Sequence, residues 1–282
     1  MPTRRILILG CKGTLGGQIA KLYPEAIGWD RDDVDVLDFA GLRARVAGLG
    51  FVPGAIVNCV AYNDVDGAED HPERAFALNG GFPGALAGLA REMGVPLVHY
   101  STNYVFDGVR GEYAETDAPA PLSAYGRSKW EGERRIAEAG GQYYIVRTAV
   151  MFGPKGESGL SKKSFVDIMM ELSGRRDMIE AVEGEVNSVT YAADLAAATS
   201  GLLDRQPAPG IYHAVNSGGA SWYDLAREIF RITGKSVEVR PVPPTHFPRK
   251  ALRPPKAILL NTKLPPMRPW QEALAEFLLR AA

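Results

Sequence analysis

What this chain lacks narrows the reading before any motif is considered. Cysteine occurs only twice in 282 residues, at Cys11 and Cys59. Each follows a predicted strand, which suits two buried, reduced thiols and excludes a disulfide-stapled scaffold. An excess of one charge is also missing: 32 basic against 33 acidic residues give a formal net charge of −1. No basic tract is available to meet nucleic acid or an anionic membrane, so neither partner is expected. The first apolar run, Ile6 to Leu9, stops at Gly10, too short for a signal-peptide core or a membrane span. A cytoplasmic protein is expected. No His, Cys, Asp or Glu cluster has ligand spacing, so no catalytic metal is expected. Neither an internal repeat nor a low-complexity tract occurs. The length allows one large domain or a domain and a half.

Hydrophobic patterning then alternates strands with helices. Ile6-Leu7-Ile8-Leu9 is a continuous apolar run, the pattern of a strand covered on both faces. Further strands are expected at Ile27-Gly28-Trp29, Ala55-Ile56-Val57, Val95 to Tyr100 and Tyr143 to Arg147. Helices are expected after Gly16, over 71–93 with a break near Gly80-Gly81-Phe82-Pro83, and after Ser123. This order predicts an α/β fold with a doubly wound, Rossmann-like parallel sheet in residues 1–153. Beyond Gly153 the rhythm loosens. Helices are expected at Phe165 to Leu172, at Tyr191 to Leu203 and after Ser221, with a strand from Gly210 to Val215. The proline-rich stretch from Arg240 to Pro269 is expected to be ordered but irregular. Residues 154–282 should mainly form a smaller α/β substrate-binding lobe, with 188–216 returning to the first unit.

Gly10-Cys11-Lys12-Gly13-Thr14-Leu15-Gly16 joins the first strand to the first helix with G-x-x-G-x-x-G spacing. Glycines permit a tight turn and let backbone amides reach a pyrophosphate, which the helix N-terminus stabilises. A glycine triplet alone is weak evidence; its place between strand and helix points to a dinucleotide. Asp30, at the end of the second strand, can accept from ribose hydroxyls and favours NADH. Arg31 and Lys12 can meet a 2′-phosphate and favour NADPH, so both cofactors stay open. Cys59-Val60-Ala61-Tyr62 follows the third strand, where small residues leave room for the cofactor to cross the sheet edge.

Tyr125-Gly126-Arg127-Ser128-Lys129 places a tyrosine and a lysine on one helix face. A nearby ammonium favours the phenolate and should bring a group of pKa about 10 towards the working range of a general acid. Taken alone, such a pair is usually a chance feature of a solvated helix. The fourth strand, however, delivers Ser101 and Thr102 to the sheet edge that also carries the glycine turn.

The order of these motifs resembles the extended short-chain dehydrogenase/reductases, and within them the dTDP-4-dehydrorhamnose reductase family. The resemblance rests on Gly10 to Gly16, Asn58 to Asp66, Ser101 to Gly108, Tyr125 to Lys129, Arg147-Thr148, Gly210 to His213, Ser221-Trp222 and Ala251 to Pro254. It covers nearly the whole chain. It implies reduction of the 4-keto group of a nucleotide-linked 6-deoxysugar by NADPH or NADH, with dTDP-4-dehydrorhamnose as the first candidate. Tyr125 would supply the proton, Lys129 would tune it and hold the nicotinamide ribose, and Thr102 would bond the carbonyl oxygen. Gly10, Lys12, Gly13, Thr14, Leu15, Gly16, Asp30, Arg31, Asp35, Val36, Cys59, Val60, Ala61 and Tyr62 would join Tyr125 and Lys129 around the cofactor. Asn103, Tyr104, Val105, Phe106, Val150 and Asn187 would lie on the sugar side.

Departures from the family pattern fall on that sugar side. Asn103 stands where the family has aspartate, Val150 where it has tryptophan, and Gly184 to Thr190 replaces Asp-Gln-x-Gly-x-Pro-Thr. The segment from Lys155 to Lys163 is longer than usual, and its lysines are candidates for a diphosphate. Dehydratases of the superfamily carry Asp-Glu after the active-site threonine; Asn103-Tyr104 argues for reduction instead. A reductase of another nucleotide sugar stays open, as does a non-catalytic dinucleotide-binding subunit like that of methionine adenosyltransferase. Family members can form dimers, some bridged by Mg²⁺, so a homodimer is an open option.

Overall fold

The computed structural model describes residues 5–159 and 161–280. Six parallel strands form the main sheet, in the spatial order Gly210–His213, Tyr143–Thr148, Leu97–Thr102, Ile56–Asn58, Leu7–Leu9 and Ile27–Trp29. The order reverses beside Leu7–Leu9, so the loops after the first and third strands open at one crevice, the usual ligand position of such sheets. Leu7, Ile8 and Leu9 are fully buried, each worth about 1.5–3 kcal/mol of transfer free energy. Ile6, Ile8, Val98 and Val146 pack on one face with the Thr14–Leu22 and Ala192–Arg205 helices; Leu7, Leu9, Leu97 and Ile145 pack on the other with Phe82–Met93 and Ala124–Ala139. Burial on both faces explains why these strands read as apolar runs rather than alternations.

Two local expectations require correction. The chain does not break near Gly80. Helix Pro72–Phe76 runs through a π-helical turn, Ala77–Gly81, into helix Phe82–Met93. The wide turn puts Pro83 in the first turn of the following helix, where its missing N–H costs least. The proline-rich stretch is also less irregular than expected. It includes most of the strand Glu238–Val242, parallel to Met178–Val182, and all of Lys256–Leu259, which lies between Val186–Ser188 and Gly111–Tyr113 in a second, four-stranded sheet. Prolines flank these strands or lie at positions needing no ladder donor. A separate core built on Phe152, Val166, Tyr191, Ile229, Trp270 and Phe277 lies under this part of the chain.

Candidate active site

The site begins where the Leu97–Thr102 strand ends. Thr102 caps the short 3₁₀ turn Asn103–Val105, its Oγ1 accepting from Tyr104 N at 3.1 Å. Ser123 caps the Ala124–Ala139 helix, its Oγ accepting from Gly126 N at 3.1 Å, while Glu69 Oε1 takes the Ala124 N–H at 2.7 Å. The two termini meet because of Gly126: a Cβ there would lie 2.3 Å from the Tyr104 carbonyl oxygen. Only glycine lets the helix approach so closely. The approach sets the Tyr125 phenol beside the Thr102 side chain, and the Tyr125 ring meets Tyr104 edge-on at 6.0 Å.

Lys129 lies one turn along the same face, 2% exposed, and its Nζ donates to the Tyr100 carbonyl oxygen at 2.5 Å. The expected direction of the phenol shift needs correction. Burial, relieved in part by the Thr102 side chain, pushes the phenol of Tyr125 up to about 12. Burial also pulls Lys129 down to about 8, against the opposing charge of Glu133. Desolvation is the leading cause of both shifts.

On the cofactor side, the turn Gly10 to Gly16 meets the same sheet edge. A Cβ on Gly16 would lie 2.1 Å from Gly10 O, so the turn cannot be built around a side chain. Thr14 and Leu15 open the Thr14–Leu22 helix, whose first-turn amides suit a pyrophosphate. Lys12 O accepts from Ser158 N at 2.9 Å, laying the loop after Gly153 against the turn. Cys11 and Cys59 are free thiols, half-buried rather than fully buried, and burial raises both. Asp30 is buried, with Oδ2 accepting from Lys12 N at 3.1 Å and Oδ1 from Arg31 N at 2.9 Å. Arg31 and Lys12 both lie near Asp32, at 3.7 and 3.2 Å. Val60 N bonds Asn58 Oδ1, and Tyr62 N bonds Asn79 Oδ1 at 2.8 Å, leaving Ala61 between two anchored residues. Asp35 is exposed and binds Leu37 N, while Val36 packs against the core, both farther along the loop after the second strand.

The expected sugar-side residues divide. Val105 and Phe106 are fully buried with Tyr113, Val215, Ala257 and Leu259, and Phe106 stacks on Tyr113 at 4.3 Å. They are core residues, and neither lines a sugar pocket. The Asn103 side chain also turns inward, to Asn187 and Ala257. Tyr104 faces the site. Val150 is half-buried beside the second core and has φ +20°, a strained value for a β-branched residue. Lys162 pairs with Asp64 and Lys163 with Glu171.

A strap that the sequence did not assign closes over this edge. Arg253 grips Asp66 with two bonds of 2.8 Å and lies beside Tyr104, while Lys250 holds Asp70 and Arg249 holds Glu185. The Arg253 guanidinium holds the Asp66 carboxyl far below the ordinary carboxylate range. Asn79 is a second omission: from the π turn it binds both N and O of Tyr62 and the Ser128 hydroxyl. The glycine inside Tyr-Gly-Arg-Ser-Lys was a readable hint of close approach; the partners of Arg253 and Asn79 were not.

Fold and site together define a member of the extended short-chain dehydrogenase/reductase superfamily. The chain belongs to the dTDP-4-dehydrorhamnose reductase family: the family model described as RmlD substrate binding domain matches residues 4–282. It is 36% identical over 285 residues to a dTDP-4-dehydrorhamnose reductase of Mycolicibacterium smegmatis, covering 97% of this chain and 84% of that one. It is 35% identical over 286 residues to a dTDP-4-keto-6-deoxy-D-glucose reductase of Streptomyces niveus, covering 97% and 96%. The crystal structure of dTDP-4-dehydrorhamnose reductase from Bacillus anthracis in complex with NADP superposes with a TM-score of 0.92 at 32% identity, covering 98% and 99%.

Proposed function

We propose that this protein is an NADPH-dependent reductase of the 4-keto group of a dTDP-linked 6-deoxysugar, converting dTDP-4-dehydrorhamnose to dTDP-L-rhamnose. The observation that carries this is the junction of the Thr102 hydroxyl and Tyr125 phenol, with Lys129 one turn away, at the sheet edge shared with the glycine turn. The names of the relatives agree with it. Residues 1–153 with 188–216 would form the dinucleotide-binding unit, and the rest of 154–282 the lobe over the sugar. Two free thiols suit a cytoplasmic setting.

The glycine turn and helix N-terminus fit a dinucleotide pyrophosphate, and Arg31 and Lys12 fit a 2′-phosphate. When bound, the nicotinamide would supply hydride to the carbonyl carbon. Thr102 donates to the carbonyl oxygen as charge develops there, and Tyr125 gives that oxygen its proton, completing the alcohol. Lys129, as the ammonium, stabilises the phenolate left behind. Tyr104 shapes the sugar side from across the Tyr125 ring.

The test follows NADPH consumption by the purified protein with dTDP-4-dehydrorhamnose and with dTDP-4-keto-6-deoxy-D-glucose. Faster turnover of the first is expected. Preference for the second reassigns the sugar but keeps the reaction; no turnover of either overturns the reading. The phosphate side has its own test. Both Asp30 oxygens accept from backbone amides, and the exposed Arg31 and Lys12 beside them are the cations that would meet a 2′-phosphate. Arg31→Ala should raise KM for NADPH about tenfold and change KM for NADH less than about twofold. Equal changes for the two cofactors would remove Arg31 from the 2′-phosphate.

A further inference from the structure

We infer that Asn103 is a positioning residue that directs the Thr102 hydroxyl hydrogen, and that the second sheet fixes its orientation; this rests on the reductase reading above. Asn103 and Asn187 are 1% and 2% exposed. Asn103 Nδ2 donates to the Ala257 carbonyl oxygen at 3.0 Å and to Asn187 Oδ1 at 2.7 Å. A backbone carbonyl can only accept, so the amide has one allowed orientation: nitrogen towards Ala257, oxygen towards Thr102. Both anchors belong to the second sheet, where Asn187 and Ala257 are register partners on adjacent parallel strands.

The consequence falls on Thr102. Its Oγ1 accepts from Tyr104 N at 3.1 Å. The Tyr104 amide occupies one lone pair, and the hydroxyl hydrogen points to Asn103 Oδ1 at 3.4 Å. That distance is long for an O–H···O bond. The hydrogen is therefore aimed but weakly held. A sugar carbonyl oxygen arriving beside Tyr125 takes it over while losing little, because the bond it replaces is poor. Without the Asn103 amide the hydroxyl would rotate among several positions, and its hydrogen would start from no fixed position when the sugar arrives.

This predicts that Asn103 acts only through Thr102. Four proteins are compared with NADPH and dTDP-4-dehydrorhamnose: wild type, Asn103→Ala, Thr102→Val and the double variant. Asn103→Ala should lower kcat about 10- to 100-fold with the NADPH Kd unchanged. In the Thr102→Val background the same change should lower kcat less than about twofold, since no hydroxyl remains to direct. Should Asn103→Ala fail to fold, Asn187→Ala in both backgrounds replaces it; it removes one anchor and should give a smaller loss with the same dependence on Thr102. Equal losses in both backgrounds, or a parallel rise in the NADPH Kd, overturn the positioning role alone. Absence of turnover by the wild type overturns the reductase reading and the inference with it.

Discussion

Tyr125→Phe is expected to lower kcat by about 10³- to 10⁴-fold and to leave the NADPH Kd within about threefold. The substitution removes one oxygen and keeps the ring, whose edge-on contact with Tyr104 and packing against Ala68, Ala75 and Ala124 do not need the hydroxyl. The fold should therefore survive, and the loss should fall on proton delivery. Retention of more than about a tenth of wild-type turnover would assign the proton to another group.

The same site predicts a pH dependence. A general acid must be protonated to donate, and with the Tyr125 phenol pushed up to about 12 it stays protonated through the neutral and mildly alkaline range. Lys129 is the group that changes. Burial pulls it down to about 8, so its ammonium is intact below that pH and lost above it. In the free enzyme kcat/KM should fall as pH rises through about 8, and Lys129→Met should be slow at every pH and lack that limb. A wild-type profile level to pH 10 would show that the charge of Lys129 is not used.

Local signals in the sequence accounted for the parts of the site that local chemistry builds. Apolar runs gave the buried strands, glycine spacing gave the turn before the first helix, and Ser123 gave the start of the Tyr125 helix. What stayed hidden depends on distant partners. Nothing near Asn79 shows that its amide will hold the Tyr62 backbone and Ser128 together across 17 and 49 residues. The Arg253–Asp66 pair spans 187 residues. Val105 and Phe106 looked like pocket residues because they follow Thr102, yet Val105 ends the 3₁₀ turn, Phe106 is its extended cap, and both pack into one core. The expected phenol shift failed for a similar reason. Spacing on a helix fixes which groups are neighbours but not how dry the neighbourhood is.

Glu133→Ala should destabilise the protein by about 3–5 kcal/mol, read as a lowered midpoint in urea. Glu133 lies one turn beyond Lys129 on the same helix face and takes both forks of Arg147, Nε to Oε1 at 2.9 Å and Nη2 to Oε2 at 2.7 Å. The two side chains are 4% and 1% exposed. Arg147 Nη1 has no hydrogen-bond partner, and its guanidinium lies 4.9 Å over the Phe106 ring. Arginine cannot shed its proton, so removing Glu133 leaves a full charge in the interior. Removing both charges is different: Glu133→Leu with Arg147→Met should recover most of the loss, because a desolvated pair returns little more than its burial costs. Activity need not follow stability. Glu133 is the charge that opposes the burial of Lys129, so without it the lysine loses its proton at lower pH. The alkaline limb of kcat/KM should therefore shift downward in Glu133→Ala and stay shifted in the stable double variant. If the single variant loses less than about 1 kcal/mol, the pair does not hold the helix to the sheet. If the double variant restores the wild-type pH profile along with stability, Glu133 has no electrostatic part in the chemistry.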